Sequence, residues 1–455
     1  MNRESYLLKP TFMDYNPEIQ KPTTTMEHWL YMMKDIGSPL SFIIFPFIVM
    51  IGACLQRRVW MPFGPSTLYP NIFLILVAPP GVGKTRVLSE ITKLMRYHFY
   101  LPDDKQKILD NLRGREGTET LVEEFLKREA VLHGLLFPSP ADSTTLAALT
   151  QEMALPQTTH TGRFTDFKGK PNNLYMGASM ISILEELSDL IRVDRDCGDL
   201  MRFLGRAWDC GDYRRKLKTG GEDLLRHISM TLMAGTNLEF MQSAFNNKVL
   251  AEGFAARTLF LYEDKERKRE FVYGDLNPDQ KASQQVILKR IKELSRVYGQ
   301  LEMTPEAFAF MKEWYEVEEN GFRTNSSRRL DYFFTRILVH LFKMTSALHF
   351  LDKNDGIITL DDLRQGLWLI DWAQNNMHVA LETTAKNILY NIASDIRRFI
   401  CRKNKVSRVQ IEIEFYSDIQ KQEDLTSALD YLIKSKQIKI LHEGDGKTVM
   451  YGPYK

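Results

Sequence analysis

Cysteine is scarce and scattered. The chain of 455 residues holds four, at Cys54, Cys197, Cys210 and Cys401, with no C-x-x-C spacing. That argues against a zinc site or a disulfide framework and for a reducing compartment. An excess of either charge is also missing: 60 Lys and Arg stand against 58 Asp and Glu, a formal net charge of +2. Nucleic-acid binding therefore cannot be read from total charge and would have to come from local clusters. Long apolar runs are absent. The N-terminal MNRESYLLKPTFMDYN has no signal-peptide core. The most apolar segment, SFIIFPFIVMIGACL (Ser41–Leu55), is interrupted by Pro46 and Gly52. It falls short of the roughly 20 residues a membrane helix needs, so a buried helix is expected there and not a membrane anchor. No repeat or low-complexity tract is evident.

What is present begins with LILVAPPGVGKTRVLSEI (Leu74–Ile91). A phosphate loop has the pattern G-x-x-x-x-G-K-[ST] between a strand and a helix. Residues 78–85 read APPGVGKT, with Ala78 in place of the leading glycine and Gly81, Val82, Gly83, Lys84, Thr85 and Arg86 following. The preceding NIFLILV is apolar throughout, as a buried parallel strand should be. The following TRVLSEITKLM carries apolar residues at helical spacing. Glycines let backbone N–H groups turn toward phosphates, and the helix start adds its positive dipole end. Lys84 would bridge the β- and γ-phosphates of ATP, and the Thr85 hydroxyl would ligate Mg2+.

Residues 71–262 alternate helices with short apolar strands, the mark of an α/β layered domain. The expected strands are Asn71–Val77, Gly134–Pro138, Ser179–Leu184, Ile228–Gly235 and Thr258–Tyr262. Residues 1–70 read as a helical lead-in. After Asp264 a charged turn, KERKRE, leads into residues that read almost wholly helical up to Thr384. The last part, residues 385–455, reads as a winged helix: three helices, then IKILHEGDGKTVMYGPY as a hairpin turning at Asp445-Gly446. A third helix beside a wing can dock on DNA. Here that helix carries both signs of charge (Glu423, Asp424, Asp430, Lys434, Lys436), so a protein-interaction role stays open.

A P-loop ATPase also needs an acid at the end of a second strand for the metal and a carboxylate to orient the attacking water. The run ISILEEL supplies Glu185 for the metal and Glu186 for the water. Acids are also favoured in a first helical turn, which is the plainer account of the pair.

The order HWL…YPNIFLILVAPPGVGKT…SILEEL…GTN…EGFAARTLFLY resembles a family of P-loop proteins from phages and mobile elements described as primase- or helicase-like, over roughly residues 27–380. More distantly it is similar to the minichromosome maintenance helicases. The resemblance implies an AAA+ P-loop core at 71–264, a helical lid at 265–384, and ATP and Mg2+ as cofactors. In such proteins a polar residue at the end of ISMTLMAGTN contacts the γ-phosphate and the lytic water, a place held here by Asn237; capping of the next helix is the alternative. An arginine just before a strand reaches the nucleotide of a neighbouring subunit, and Arg257 has that position; a surface ion pair is the alternative. Arg329 is the candidate lid arginine reaching ATP in cis, with Arg336 as its rival.

The same resemblance implies two pore-lining insertions. LPQTTHTGRFTDFKGKPNNLYMG offers Arg163, Phe164, Phe167, Lys168 and Lys170 to a nucleic-acid strand. YRRKLKTGGEDLLRH reads as a hairpin with Arg214, Arg215, Lys216 and Lys218 on its first arm. Two solvated surface loops are the bland alternative. Together these readings imply an ATPase that forms a homo-oligomeric ring, a hexamer, and translocates on single-stranded DNA as a helicase in phage or mobile-element replication. A primase or replication-initiation partner, the cytosol of a bacterial host and no membrane contact go with that reading. The rival is an ATP-switched loader, defence or recombination protein that remodels a protein partner.

Overall fold

A computed structural model describes residues 6–96, 146–154, 161–175, 177–191, 198–216, 222–245, 253–268, 274–321, 331–415, 422–435, 437–442 and 449–454, together with the isolated positions 111, 112, 117 and 121. The chain divides into two units, Met1–Ala380 and Leu381–Lys455.

The first unit opens with α1 (Thr25–Met32) and α2 (Leu40–Leu55). Thr24 and Glu27 form a reciprocal capping box that starts α1, which satisfies two donors the helix itself cannot. Every residue of α2 from Ser41 to Leu55 is buried. Among the described residues no helix is long and apolar enough to cross a membrane. Two short strands follow, β1 (Val59–Phe63) and β2 (Ser66–Leu68), so the lead-in is not purely helical. β3 (Phe73–Val77) has five buried residues and passes into α3 (Lys84–Arg96). Then come α4 (Leu146–Ala154), the hairpin β4 (Thr161–Thr165) and β5 (Pro171–Tyr175), β6 (Ser179–Leu184) and α5 (Gly198–Trp208). A second hairpin, β7 (Tyr213–Lys216) and β8 (Glu222–Leu225), leads to β9 (Ser229–Thr236), α6 (Leu238–Phe245) and β10 (Thr258–Tyr262).

The central sheet has the order β10-β3-β9-β6, and every pairing in it is parallel. β3 and β9 are apolar and buried along their whole length, as strands covered on both faces must be. The fold is therefore mixed α/β with a parallel sheet. β6 and β10 occupy the expected residues, and β3 and β9 differ from expectation only at their ends. The expected strand Gly134–Pro138 lies outside the described residues.

Beyond the sheet, α7 (Pro278–Leu294) starts on an Asn277–Gln280 capping box with proline in its first turn. The segment read as almost wholly helical contains short strands, β11 (Gly299–Gln300) and β12 (Glu302–Met303), ahead of α8 (Pro305–Gly321) and α9 (Ile337–His349). β13 (Ile357–Ile358) pairs with β12, and α10 (Leu360–Lys403) carries the chain past the boundary between the units. The second unit adds β14 (Val406–Ser407), α11 (Arg408–Glu414), α12 (Gln422–Lys434) and the antiparallel pair β15 (Ile438–His442) and β16 (Val449–Pro453). Its sheet order is β14-β16-β15. Its core gathers Ile396, Ile400, Ile411, Leu425, Leu429 and Ile438 among others.

The start of α10 hangs on one carboxylate. Asp362 accepts from His349 Nδ1 at 3.1 Å, Lys353 Nζ at 2.8 Å and the Thr359 N–H at 2.9 Å. Burial alone would raise this carboxyl, but the bonds from His349, Lys353 and Thr359 outweigh it and hold it well below the usual carboxylate range. A depressed carboxylate stabilises the fold above its unfolded pKa of about 3.9, and that contribution is lost as pH falls through the folded value. Asp362→Asn is expected to lower stability by about 1–3 kcal/mol at neutral pH. The gap from the parent chain should narrow on acidification below the unfolded value. Urea midpoints taken at neutral and acid pH check this, and an equal gap at both would remove the carboxylate from its assigned role.

Candidate functional site

The strongest local geometry lies where β3 gives way to α3. Gly81 and Gly83 have φ of 90° and 91°, a left-handed backbone that side chains resist and glycine accepts. A cradle of N–H groups needs that backbone. Ala78 and Val82 are buried, whereas Gly81 and Thr85 are exposed and Arg86 is half-buried. The Ala78 N–H donates to the Thr236 carbonyl at 3.1 Å, so the loop leaves β3 tied to the end of β9. Ser38 Oγ donates to the Gly83 carbonyl at 2.9 Å. A Cβ on Gly83 would run into that same hydroxyl.

Lys84 is 7% exposed. Its Nζ donates to the Ala78 carbonyl at 2.6 Å and the Pro79 carbonyl at 3.2 Å, which centres the ammonium inside the loop. Burial pushes its pKa down, and Glu186 pulls it back up. Glu185 and Glu186 follow β6 and are exposed. They precede a single 3-10 turn, Leu187–Asp189, instead of the α-helix that the sequence suggests. The Glu186 carboxyl is raised by burial, lowered by Lys84, and raised again by Asp189 and Glu185. Lys84 and Glu186 therefore act on each other although their strands are not neighbours, because β9 lies between β3 and β6.

The spacer between them is Gly235. A Cβ there would strike the Glu185 carbonyl oxygen and stand 3.6 Å from Lys84 Cβ. The next residue, Thr236, is fully buried, and its hydroxyl has no hydrogen-bond partner among the described residues. Asn237 Oδ1 accepts from the Phe240 N–H at 2.8 Å and so caps α6. Lys84, Glu185, Glu186 and Asn237 are thus gathered at the carboxyl ends of three parallel strands, where open α/β sheets bind ligands.

Arg257 is not in this group. It precedes Thr258, which pairs with Phe73 at the opposite end of the sheet. At about 3.3 Å per residue the loop level lies roughly 20 Å further along the strands. Arg257 Nη1 donates to the Gly253 carbonyl at 3.0 Å and Nη2 to Asp209 Oδ2 at 3.1 Å, while its Nε is buried without a partner among the described residues. Arg336 reaches the other Asp209 oxygen at 3.4 Å. Arg257, Arg336 and Lys343 stand 5.8, 5.3 and 4.6 Å from the Trp208 ring centroid. Burial, then the nearby Arg257, pushes the Arg336 pKa down. Arg336 thus sits with Arg257 and away from the loop; Arg329 lies outside the described residues.

The two expected insertions form the hairpins β4–β5 and β7–β8. Phe164 stacks on Tyr298 at 5.6 Å, and Lys168 pairs with Glu302 at 2.6 Å. The Phe167 ring fills the space that Cβ atoms on Gly299 and Gly356 would take. Lys170 is exposed, and only the backbone of Arg163 is described, paired with Asn173. On the second hairpin Arg214 forms a cross-strand ion pair with Glu222, and Arg215 is half-buried. Lys216 is described as backbone alone, and Lys218 lies outside the described residues.

Ser38, Asp209 and Gly235 belong with these groups although the sequence marked none of them for a role. Only Gly235 left a trace, as the small residue in the Gly-Thr-Asn run. No family model matches the chain, and no curated protein matches it. The contact between Ser38 and the loop can be tested directly. Gly83→Ala should cost about 1–3 kcal/mol through strain and overpacking. Adding Ser38→Gly should recover part of that cost, with a coupling of about 0.5 kcal/mol or more in a double-mutant cycle by urea unfolding. Strict additivity would count against the contact.

Proposed function

We propose that the chain is a P-loop ATPase of the AAA+ type. The observation that carries this is geometric: the buried Lys84 ammonium is centred in a loop whose Gly81 and Gly83 have left-handed backbone, and Glu185 and Glu186 follow β6, one strand beyond β9 in the same parallel sheet. Lys84 would hold the β- and γ-phosphates of ATP while the N–H groups around Gly81 and Gly83 cradle them. The carboxylate of Glu186 would orient and deprotonate the attacking water, and Asn237 would offer its amide NH2 to the γ-phosphate, since Oδ1 is taken by the cap. Thr85 and Glu185, exposed beside the loop, fit Mg2+, which keeps several waters and takes few protein ligands. Bound there, Mg2+ would draw charge from the phosphate oxygens.

For Arg257 the distance along the strands supports action on the nucleotide of a neighbouring copy, and with it a ring, a hexamer by resemblance. The topology of the second unit, helix end, strand, two helices and a hairpin, supports a winged helix. Within this reading the ring translocates on single-stranded DNA as a helicase in phage or mobile-element replication, with a primase or initiation partner in the host cytosol. One observation favours the rival, an ATP-driven remodeller of a protein partner: Lys168 and Arg214, expected to face DNA, are each paired with a carboxylate of this chain.

Two experiments test the proposal. Lys84→Ala should abolish binding of a fluorescent ATP analogue. Glu186→Gln should bind it normally but release phosphate about 10²–10⁴-fold more slowly. Because burial raises the Glu186 carboxyl, the acid limb of the parent chain's pH profile should lie higher than an ordinary glutamate would place it and vanish in Glu186→Gln. Normal turnover by Glu186→Gln would remove that base.

The second mixes Lys84→Ala with Arg257→Ala, each inactive alone. Arg257→Ala should lose roughly 10³–10⁵ in rate with little change in ATP affinity. A mixed interface joins an intact loop to an intact arginine, so phosphate release should reappear on mixing. Silence at every ratio, with a monomeric particle in ATP, would end the ring.

A further inference from the structure

The near-neutral total charge hides one segregated patch. From Ile396 to Ile411 the chain carries Arg397, Arg398, Arg402, Lys403, Lys405 and Arg408, and no Asp or Glu. In the same unit α12 carries Glu423, Asp424 and Asp430 against Lys434 alone. The cations sit at the end of α10 and just beyond it, and Arg397, Arg398, Arg402, Lys403 and Lys405 are all exposed. Ala393, Ile396, Phe399 and Ile400 turn the other side of this helix into the core of the unit. At about 100° per residue, Arg397, Cys401, Arg398 and Arg402 spread over about 140° of the opposite face. Arg408 joins α11 to α12: it donates to Glu412 at 3.1 Å and to Thr426 at 2.9 Å.

A helix end attracts cations through its dipole, which accounts for Arg402 and Lys403. The effect fades within the last turn, so it does not account for Arg397 and Arg398. Five exposed cations in a stretch that holds no acid fit a dense external anion. A bilayer is a poor match, because interfacial helices insert an apolar face and the apolar face of this segment is buried.

We propose that this face of the second unit binds the phosphate backbone of DNA through Arg397, Arg398, Arg402, Lys403 and Lys405, and that α12, net acidic, does not. The proposal rests on the reading of the chain as a DNA-acting ATPase, and adds a contact surface that neither hairpin contains. Binding here is by charge and not by base sequence, since long cations on one helix face meet phosphates without reading base edges.

The test uses the full chain, a fluorescein-labelled 30-nucleotide DNA strand and the matching 30-base-pair duplex. Each phosphate neutralised adds about 0.7–0.9 to the slope of log K against log salt. Replacing the five cations by alanine should lower that slope by about 3.5–4.5, and a variant with all five as lysine should restore it. Basal phosphate release without DNA should be unchanged.

A second readout needs no charge variant. Cys401 is exposed on this face, whereas Cys54 and Cys210 are buried. In a Cys197→Ser background, DNA should slow maleimide labelling of Cys401 several-fold. An unchanged salt slope in a folded alanine variant, or Cys401 labelling indifferent to bound DNA, would overturn the proposal. So would a parent chain that binds no DNA, while its phosphate release left the ATPase reading standing. Poly-glutamate or phosphatidylserine vesicles outcompeting DNA for the five cations would overturn it in favour of an acidic protein or a membrane.

Discussion

The first unit depends on the burial of α2. This helix is apolar on every side and would be insoluble alone; its cost in water is removed only by surrounding it. It packs against α1, α3, α7, α9 and the strands β3 and β9. Trp29 stacks on Phe47 at 4.8 Å and donates its indole N–H to the Ile43 carbonyl at 2.8 Å. Phe45 meets Trp372 from α10 at 5.2 Å. Gly52 lets the helix approach the Pro70 carbonyl more closely than a side chain would permit. The helix also touches the site: Ser41 donates to Glu263, which follows β10, and Ser38, just before α2, holds the Gly83 carbonyl. The geometry of the loop between β3 and α3 is thus a consequence of core packing as well as of its own glycines.

One group of polar side chains buried beside this core is joined as a network, which is the condition for keeping such groups. Asn71 donates to the carbonyls of Trp208 and Met230, each at 3.1 Å, and accepts from Lys343 and Cys210. Lys343 also donates to the Tyr69 and Trp208 carbonyls, each at 3.1 Å, and burial pushes its ammonium down to about 8. The network ties the amino end of β3 to the end of α5. That fixes Asp209, and Asp209 in turn holds Arg257 and Arg336. The two ends of one sheet therefore carry different chemistry: a cradle with an acid at the carboxyl ends, and an arginine pair on one carboxylate at the other.

Much of this was legible in the residues. The apolar run before APPGVGKT, the glycines within it and the amphipathic helix after it are local patterns, and each local pattern formed. Ser179–Leu184 and Thr258–Tyr262 were readable as strands for the same reason: a buried parallel strand needs a short, continuous apolar run. Short strands such as β11, β12 and β13 were not readable, because two residues carry no period and their pairing comes from the packing around them.

The sequence by itself determined the longer elements and the left-handed glycines of the loop, since propensity, periodicity and glycine conformations act over a few neighbouring residues. Tertiary structure alone decided which elements meet. It set β9 between β3 and β6, so that Gly235 became the spacer between Lys84 and Glu186. It brought Arg336 to Arg257 through Asp209, and folded Phe167 into the space left by Gly299 and Gly356. These pairings join residues tens to hundreds of positions apart. They follow from strand order and shape complementarity in the packed core, and neither leaves a periodic mark on the chain.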